Sequence, residues 1–184
     1  MNTKRKLRLF GLVLATICAA VFALKILLPS NRLDDKEYQR RLARVFPGNS
    51  RTVLDNATAI TLYSLDGSID RHLSPTSLPG EFHGYQILGK TVLSGVEKER
   101  VVSGFYDGLA DKTAFRAACF CPHHGLRVMQ REQSVDMVVC FTCTTVMTYS
   151  NGTQGSSPIG KAPEMHFNQL LTAAGAPFAR NYKP

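Results

Sequence analysis

The stretch ACFCPHHGLRVMQREQSVDMVVCFTC, residues 118–143, holds four of the five cysteines of the chain and two of its five histidines. Two apolar runs inside it, LRVMQ and VDMVVCF, are separated by the polar residues 131–134 and predict a β-hairpin. Antiparallel pairing about that turn sets Cys140 opposite Gly125 and carries CFTC back against CPHHG. The hairpin is therefore expected to bring sulfur and imidazole side chains together at one end.

The spacing of these side chains is that of a structural zinc site. The pattern begins at Cys121 as C-x2-H, continues for fifteen residues, and ends as C-x2-C at Cys143. Zn²⁺ takes four tetrahedral sulfur and nitrogen ligands, and a two-residue gap lets one turn offer two of them. The sequence therefore predicts a zinc-ribbon-like hairpin. Its candidate metal ligands are Cys119, Cys121, His124, Cys140 and Cys143.

Two other uses of the same cysteines stay open. In an oxidising compartment, four close cysteines form disulfides more often than metal sites, and bridges such as Cys119–Cys140 or Cys121–Cys143 are sterically conceivable. Alternatively, the thiols are unlinked or redox-active, since Cys140-x-x-Cys143 has the spacing of a dithiol motif. Such a motif normally begins a helix, whereas this one follows a predicted strand, which argues against redox chemistry.

The N-terminal segment MNTKRKLRLFGLVLATICAAVFALKILLPS predicts a membrane anchor. Its apolar run, residues 7–28, has the length of about 20 residues that a spanning helix needs. A cleavable signal peptide is the rival, but the run continues as LKILL past the small-residue sites where cleavage would occur. Basic residues flank both ends, so orientation rests on the short N-terminus, which favours export of the long domain. We expect residues 1–29 to anchor the chain in a bacterial inner membrane by a single pass, with the domain facing the periplasm.

The net charge of +8 does not indicate nucleic-acid binding. Five of the 22 basic residues lie in or beside the N-terminal apolar run, and without them 17 basic residues face 14 acidic ones, a net charge of +3. A nucleic-acid-binding domain usually carries a dense basic face. A zinc ribbon that binds nucleic acid is therefore the least favoured function.

The rest of the chain predicts an α+β fold, with a small antiparallel sheet and helices packed on one of its faces. A juxtamembrane helix is expected at 30–48, followed by one domain at 49–184. Within that domain, Ser94 and Glu97 have the spacing of a capping box at the start of a helix. Predicted strands cover 56–68, 81–93, 113–120 and the two arms of the hairpin, the last of which is extended by 144–150. The segment 151–162 is expected to be a loop, and 163–177 to form the final helix.

The cysteine block resembles the signature of a family of uncharacterised bacterial proteins that are often exported or membrane-anchored. That signature reads Cys-Phe-x-Pro-x-His-Gly, then a hydrophobic strand and Cys-Phe-x-Cys. It matches Cys119, Phe120, Pro122, His124, Gly125, Cys140, Phe141 and Cys143. With GYQILGKTVL before it and LLTAAGAP after it, the resemblance covers most of the domain. Because the position of Cys121 is often not cysteine in that family, the resemblance implies Cys119 as the ligand or bridge partner, and it implies no activity.

The sequence shows no nucleophile elbow, phosphate-binding loop or paired-carboxylate motif. We therefore expect a membrane-tethered protein-binding domain of the immunity, inhibitor or envelope-assembly type, with a structural zinc or disulfide site and no catalytic residues. Its expected partners are the membrane, through residues 7–28, and another protein. The alternative is a thiol-redox or metal-handling enzyme that uses the cluster between Cys119 and Cys143. The isolated histidines His72, His83 and His166 are expected to be structural or solvated.

Overall fold

The computed structural model describes residues 31–67 and 79–184, and Arg32–Pro184 form one compact unit. The helices of the described residues are α1 (Asp35–Val45), α2 (Ser50–Asp55), α3 (Gly95–Ala110) and α4 (Glu164–Ala173). Their strands are β1 (Ala59–Asp66), β2 (Glu81–Phe82), β3 (Tyr85–Leu93), β4 (His124–Gln130), β5 (Gln133–Cys140), β6 (Thr145–Ser150) and β7 (Thr153–Pro158).

The anchor predicted at 1–29 lies outside the described residues, as does His72. Among the residues that the structure describes, no helix has both the length and the apolar character needed to cross a bilayer. The helix predicted at 30–48 corresponds to α1. Asp34 begins it, because the Asp34 carboxylate accepts a hydrogen bond of 2.9 Å from the Glu37 backbone N–H, as an N-cap does.

The predicted fold class is wrong in its central element. The described residues form one antiparallel sheet of seven strands in the order β2-β3-β1-β4-β5-β6-β7, curled into a half-barrel with four helices. LRVMQ and VDMVVCF are not a separate zinc-ribbon hairpin but the core of β4 and β5, in the middle of this sheet. The apolar residues of both strands are buried by the fold on either side, so they need no metal to hold them together.

The register of the β4–β5 hairpin also differs from the prediction. Gly125 pairs with Val138 instead of Cys140, since the turn consists of only two residues, Arg131 and Glu132. Arg131 has a φ of 54° there, a conformation that the sequence pattern does not reveal. A shift of two residues keeps the same side chains on each face, but it moves CFTC beyond the N-terminal end of β4.

Three further predictions of secondary structure are wrong. Residues 113–120 form no strand, and 81–93 contains two strands in place of one. Residues 151–158, predicted to be a loop, form the turn and the second strand of a hairpin with β6. The short helix α2 was not predicted. The Asn151–Gly152 turn has positive φ at both residues, 48° and 74°, which is the backbone of a tight hairpin turn.

Alternating side chains of the strands bury two apolar clusters on opposite faces of the sheet. On one face all four helices pack against residues such as Leu62, Val128 and Met137. On the other face Phe82, from the β2–β3 hairpin, stacks on Tyr63 with 4.6 Å between ring centroids. Gly125 makes this possible, because a Cβ there would lie 2.7 Å from the Phe82 ring.

A buried arginine fixes the segment that leads from α3 to the cysteines. The guanidinium of Arg41, on α1, donates to the backbone oxygens of Leu109, Asp111 and Ala114 at 3.4, 2.8 and 3.1 Å. Burial lowers the pKa of Arg41 from its ordinary value. These bonds hold the chain beyond α3 against α1. Residues 115–123 then continue to the loop that joins β5 to β6.

Candidate functional site

The sequence CFTC forms the loop that joins β5 to β6, here called the cysteine turn (residues 140–144). Cys140 ends β5 and pairs with Thr145, the first residue of β6. Inside the loop, the Thr144 N–H donates to the Phe141 oxygen at 3.2 Å and the Cys143 N–H donates to Cys140 Sγ at 3.0 Å. The β-branched residue Thr144 has a φ of 46°, a strained conformation for such a side chain.

Cys140 and Cys143 form a disulfide, with their Cα atoms 5.2 Å apart. Both are buried, with exposed fractions of 0% and 1%. Cys119 and Cys121 are free and exposed. The bridges considered from the sequence, Cys119–Cys140 and Cys121–Cys143, are therefore not the ones formed.

The segment 115–123 crosses directly over the cysteine turn. Its Ala117 N–H donates to the Cys143 oxygen at 3.3 Å, and the Thr144 hydroxyl donates to the Phe115 oxygen. Two contacts reach Cys143 Sγ itself: Cys119 Sγ lies 3.3 Å from it, and the Cys121 backbone N–H donates to it at 3.5 Å. The exposed thiol of Cys119 is therefore in contact with the buried disulfide, and the exposed residue Cys121 contacts the same disulfide through its backbone.

The predicted metal ligands do not fit a zinc ion in this structure. His124 pairs with Val139 across β4 and β5, and its ring contacts Phe141 on the helix-covered face. Because neighbouring strand residues point to opposite faces, Cys140 leaves the sheet on the other side from His124. Among the described residues, no group of three or more His, Cys, Asp and Glu side chains is arranged to hold a metal ion.

His124 instead begins a buried polar chain that reaches the C-terminal segment. Its Nε2 lies 2.8 Å from the Asn168 Oδ1 on α4, Asn168 donates to the Tyr182 hydroxyl at 3.0 Å, and that hydroxyl donates to the Glu164 carboxylate at 2.9 Å. Burial lowers the pKa of His124 to about 4, although the Asn168 bond opposes the shift. His124 is therefore a neutral imidazole near neutral pH, with Nε2–H donating to the amide oxygen.

An open cleft of about 1150 Å³ lies beside the cysteine turn, along α4 and the C-terminal segment. His123 is at its floor, where its ring stacks on Tyr182 with centroids 4.4 Å apart. Burial lowers the pKa of His123, so its ring is also neutral near neutral pH. Other lining residues include Cys121, Thr142, Lys161, Glu164 and Met165. Cys121 and Thr142 connect the cleft to the cysteine turn.

A second polar group, the Asp136 cluster (His83, Arg127, Asp136 and Tyr149), lies on the sheet face that carries the β2–β3 hairpin. Arg127 makes two hydrogen bonds to the Asp136 carboxylate, at 2.8 and 2.7 Å, and His83 Nε2 lies 2.9 Å from it. Burial raises the pKa of Asp136, but the bonds from Arg127 and His83 outweigh it and hold the pKa below its ordinary value. Tyr149 stacks on His83 with 3.9 Å between centroids.

Comparison of the chain with known protein families, curated proteins and solved structures finds no match. The site must therefore be interpreted from its geometry. Sequence reasoning missed Asn168 and Tyr182, because nothing in their local pattern indicates a buried contact with His124. It also missed that residue pairs far apart in sequence, such as His83 and Asp136, meet inside the fold.

Proposed function

We propose that the protein carries out thiol–disulfide exchange at the Cys140–Cys143 pair. The observation that carries this proposal is the coexistence of a formed disulfide with the free thiol of Cys119, whose Sγ is 3.3 Å from Cys143 Sγ. A disulfide is broken by attack of a thiolate on one of its sulfurs. A free sulfur at this distance from a disulfide is the arrangement that such an attack requires.

A purely structural role would favour a different bridge. In the chain-entropy account, a disulfide that closes four residues, as between Cys140 and Cys143, stabilises a protein by about 2 kcal/mol. A bridge from Cys119 to Cys143, 24 positions apart, would contribute about 3.5 kcal/mol. The shorter bridge also closes a loop that backbone hydrogen bonds already hold. The bond therefore stabilises the fold less than the Cys119–Cys143 bridge would, which supports a chemical role over a structural one.

The proposal includes the location expected from the sequence. Residues 1–29 tether the domain to a bacterial inner membrane, and the domain faces the periplasm. An oxidising compartment maintains disulfides, so the Cys140–Cys143 bond supports this location. In that setting the exchange serves the oxidation or isomerisation of other proteins' cysteines, which corresponds to the thiol-redox alternative considered from the sequence.

The test is an exchange assay with the purified full-length chain and a synthetic dithiol peptide. We expect the oxidised chain to convert one equivalent of the peptide to its disulfide, and the Cys143→Ser variant to convert none. Cys18→Ser, which removes the one cysteine outside residues 119–143, is the control and leaves the yield unchanged. A wild-type chain that leaves the peptide reduced would contradict the proposal, as would full conversion by the double variant Cys140→Ser/Cys143→Ser.

The protein-binding domain expected from the sequence remains a second candidate, favoured by the cleft beside the cysteine turn. Met165 lines this cleft and is 70% exposed, so an apolar side chain is accessible there to a protein partner. A photo-crosslinking residue at position 165 is expected to give one adduct of discrete mass in intact cells. Val92, 65% exposed on β3, is the matched control position, and equal adducts at both positions would exclude the cleft as the binding surface.

A further inference from the structure

The disulfide and the thiols beside it differ in their access to solvent. Cys140 and Cys143 are 0% and 1% exposed, whereas Cys119 is exposed. A thiolate from outside the protein must contact the sulfur that it attacks. Neither sulfur of the formed disulfide offers that contact, so exchange with another molecule needs an intermediary inside the protein.

We propose that Cys119 is that intermediary, a third catalytic cysteine that carries exchange between the buried disulfide and an external thiol. This inference rests on the proposed function and specifies its route. Cys119 Sγ is 3.3 Å from Cys143 Sγ, and the Ala117 N–H bond to the Cys143 oxygen holds the two segments together. Cys119 is therefore the free cysteine in contact with both the disulfide and solvent.

The first step is internal. The Cys119 thiolate attacks Cys143 Sγ, the Cys119–Cys143 bond forms, and the Cys140–Cys143 bond breaks. The electron pair leaves on Cys140 Sγ, which already accepts the Cys143 N–H at 3.0 Å. That hydrogen bond favours the departing thiolate, which then takes up a proton.

The second step delivers the oxidation to the substrate, a polypeptide dithiol. A substrate thiolate attacks the exposed Cys119 Sγ, and Cys143 leaves as a thiolate and is protonated. The second substrate thiolate then attacks the substrate sulfur that is bonded to Cys119 in the mixed disulfide, and it releases Cys119 as a thiolate. The substrate ends as a disulfide, and Cys140 and Cys143 end as two thiols. The two protons that the substrate thiols lose equal the two protons that Cys140 and Cys143 take up. Re-oxidation follows the same steps in reverse, with an external disulfide as the oxidant.

Cys121 supplies the matched control. It is free and exposed and lies two residues from Cys119 on the same segment. It contacts Cys143 Sγ through its backbone N–H, at 3.5 Å, and a serine in its place keeps that contact. Replacement of Cys121 therefore removes a thiol without removing the exchange route.

The first experiment traps the internal bond. In the full-length Cys140→Ser variant, treated with oxidised glutathione, we expect peptide mapping without reduction to find Cys119 joined to Cys143. A Cys121–Cys143 bond as the main product would overturn the proposal. Because the readout is the identity of a bond, a merely structural role of Cys119 would not produce the expected result.

The second experiment measures the rate of peptide oxidation by variants whose melting curves are compared with wild type. Cys119→Ser is expected to lower the rate by at least about tenfold, and Cys121→Ser to change it by less than about twofold. An unchanged rate in Cys119→Ser, with activity lost in Cys143→Ser, would refute the third cysteine but leave the proposed function intact. Failure of the wild-type chain to oxidise the peptide would refute both.

Discussion

The cysteine turn and the Asp136 cluster both concentrate reactive side chains, but they differ in what surrounds those side chains. At the Asp136 cluster a buried carboxylate is satisfied by Arg127 and His83, and aromatic rings cover the histidine. At the cysteine turn a buried disulfide lies against exposed thiols and opens toward a cleft. The first arrangement neutralises its charges within the fold, whereas the second leaves a reactive group in contact with solvent.

This difference shows why the kinds of residue present do not identify a site by themselves. Histidine, aspartate and arginine are common catalytic residues, yet here they join the β2–β3 hairpin to the central strands. The cysteines were expected to be structural, yet their bond closes a loop that is already hydrogen-bonded. The two regions differ in the solvent exposure of their reactive groups and in whether those groups are bonded to partners within the fold. The following predictions therefore measure stability for the Asp136 cluster and thiol–disulfide exchange for the cysteine turn.

The largest effect is expected from loss of the carboxylate at the centre of the Asp136 cluster. Asp136→Ala removes the buried carboxylate that Arg127 and His83 contact, and because a hydrogen bond to a charged group contributes about 1.5 to 3 kcal/mol, a loss of about 3 to 5 kcal/mol is expected. Urea denaturation measures this loss, with Glu132→Ala on the same hairpin as a control that changes stability little. The oxidation rate of the folded Asp136→Ala chain should equal that of wild type, and a lost rate at unchanged stability would show that the cluster is catalytic.

A somewhat smaller effect is expected from the pH dependence of His124. Its folded-state pKa of about 4 lies below the ordinary value of 6.5, so between those pH values the unfolded chain binds a proton that the folded chain does not. Stability therefore falls as the pH drops from 6.5 to about 4, by about 3 kcal/mol in total, and this histidine has no effect above that range. Denaturation curves measured across the range test this expectation.

The variant that tests this pH dependence is His124→Phe. Phenylalanine suits the aromatic surroundings of His124 and does not titrate, so it should flatten the slope between pH 6.5 and 4. Equal slopes in wild type and His124→Phe would contradict the account of His124 as a buried neutral residue.

The parts of the fold that follow local patterns were predictable from the sequence. The helix near residue 35 follows from apolar spacing and from the cap at Asp34. The helix after Ser94 begins where it was predicted, but the Ser94 side chain makes no capping hydrogen bond. Asn151-Gly152 is a typical hairpin turn sequence, but the TQGSSP that follows it lacks the apolar alternation of an ordinary strand. As an edge strand, β7 tolerates Pro158 at its end.

The remaining errors come from interactions that no local pattern encodes. Residues 113–120 alternate like a strand, but they form no strand in the fold and instead contact the cysteine turn, where the Ala117 N–H donates to the Cys143 oxygen. The two-residue turn at Arg131 replaced the expected four-residue turn and moved the cysteine turn beyond the N-terminal end of β4. Likewise, the burial of His124 depends on α4 and on Tyr182, which lie far along the chain.

The central claim is that the native chain holds Cys140 and Cys143 as a disulfide while Cys119 and Cys121 stay reduced. The most direct measurement is alkylation of the full-length chain in its native compartment, followed by denaturation and peptide mapping without reduction. We predict alkylated Cys119 and Cys121, with Cys140 joined to Cys143. Alkylation of all four residues, or a bridge from Cys119 or Cys121 to either residue of the pair as the main resting species, would contradict the account.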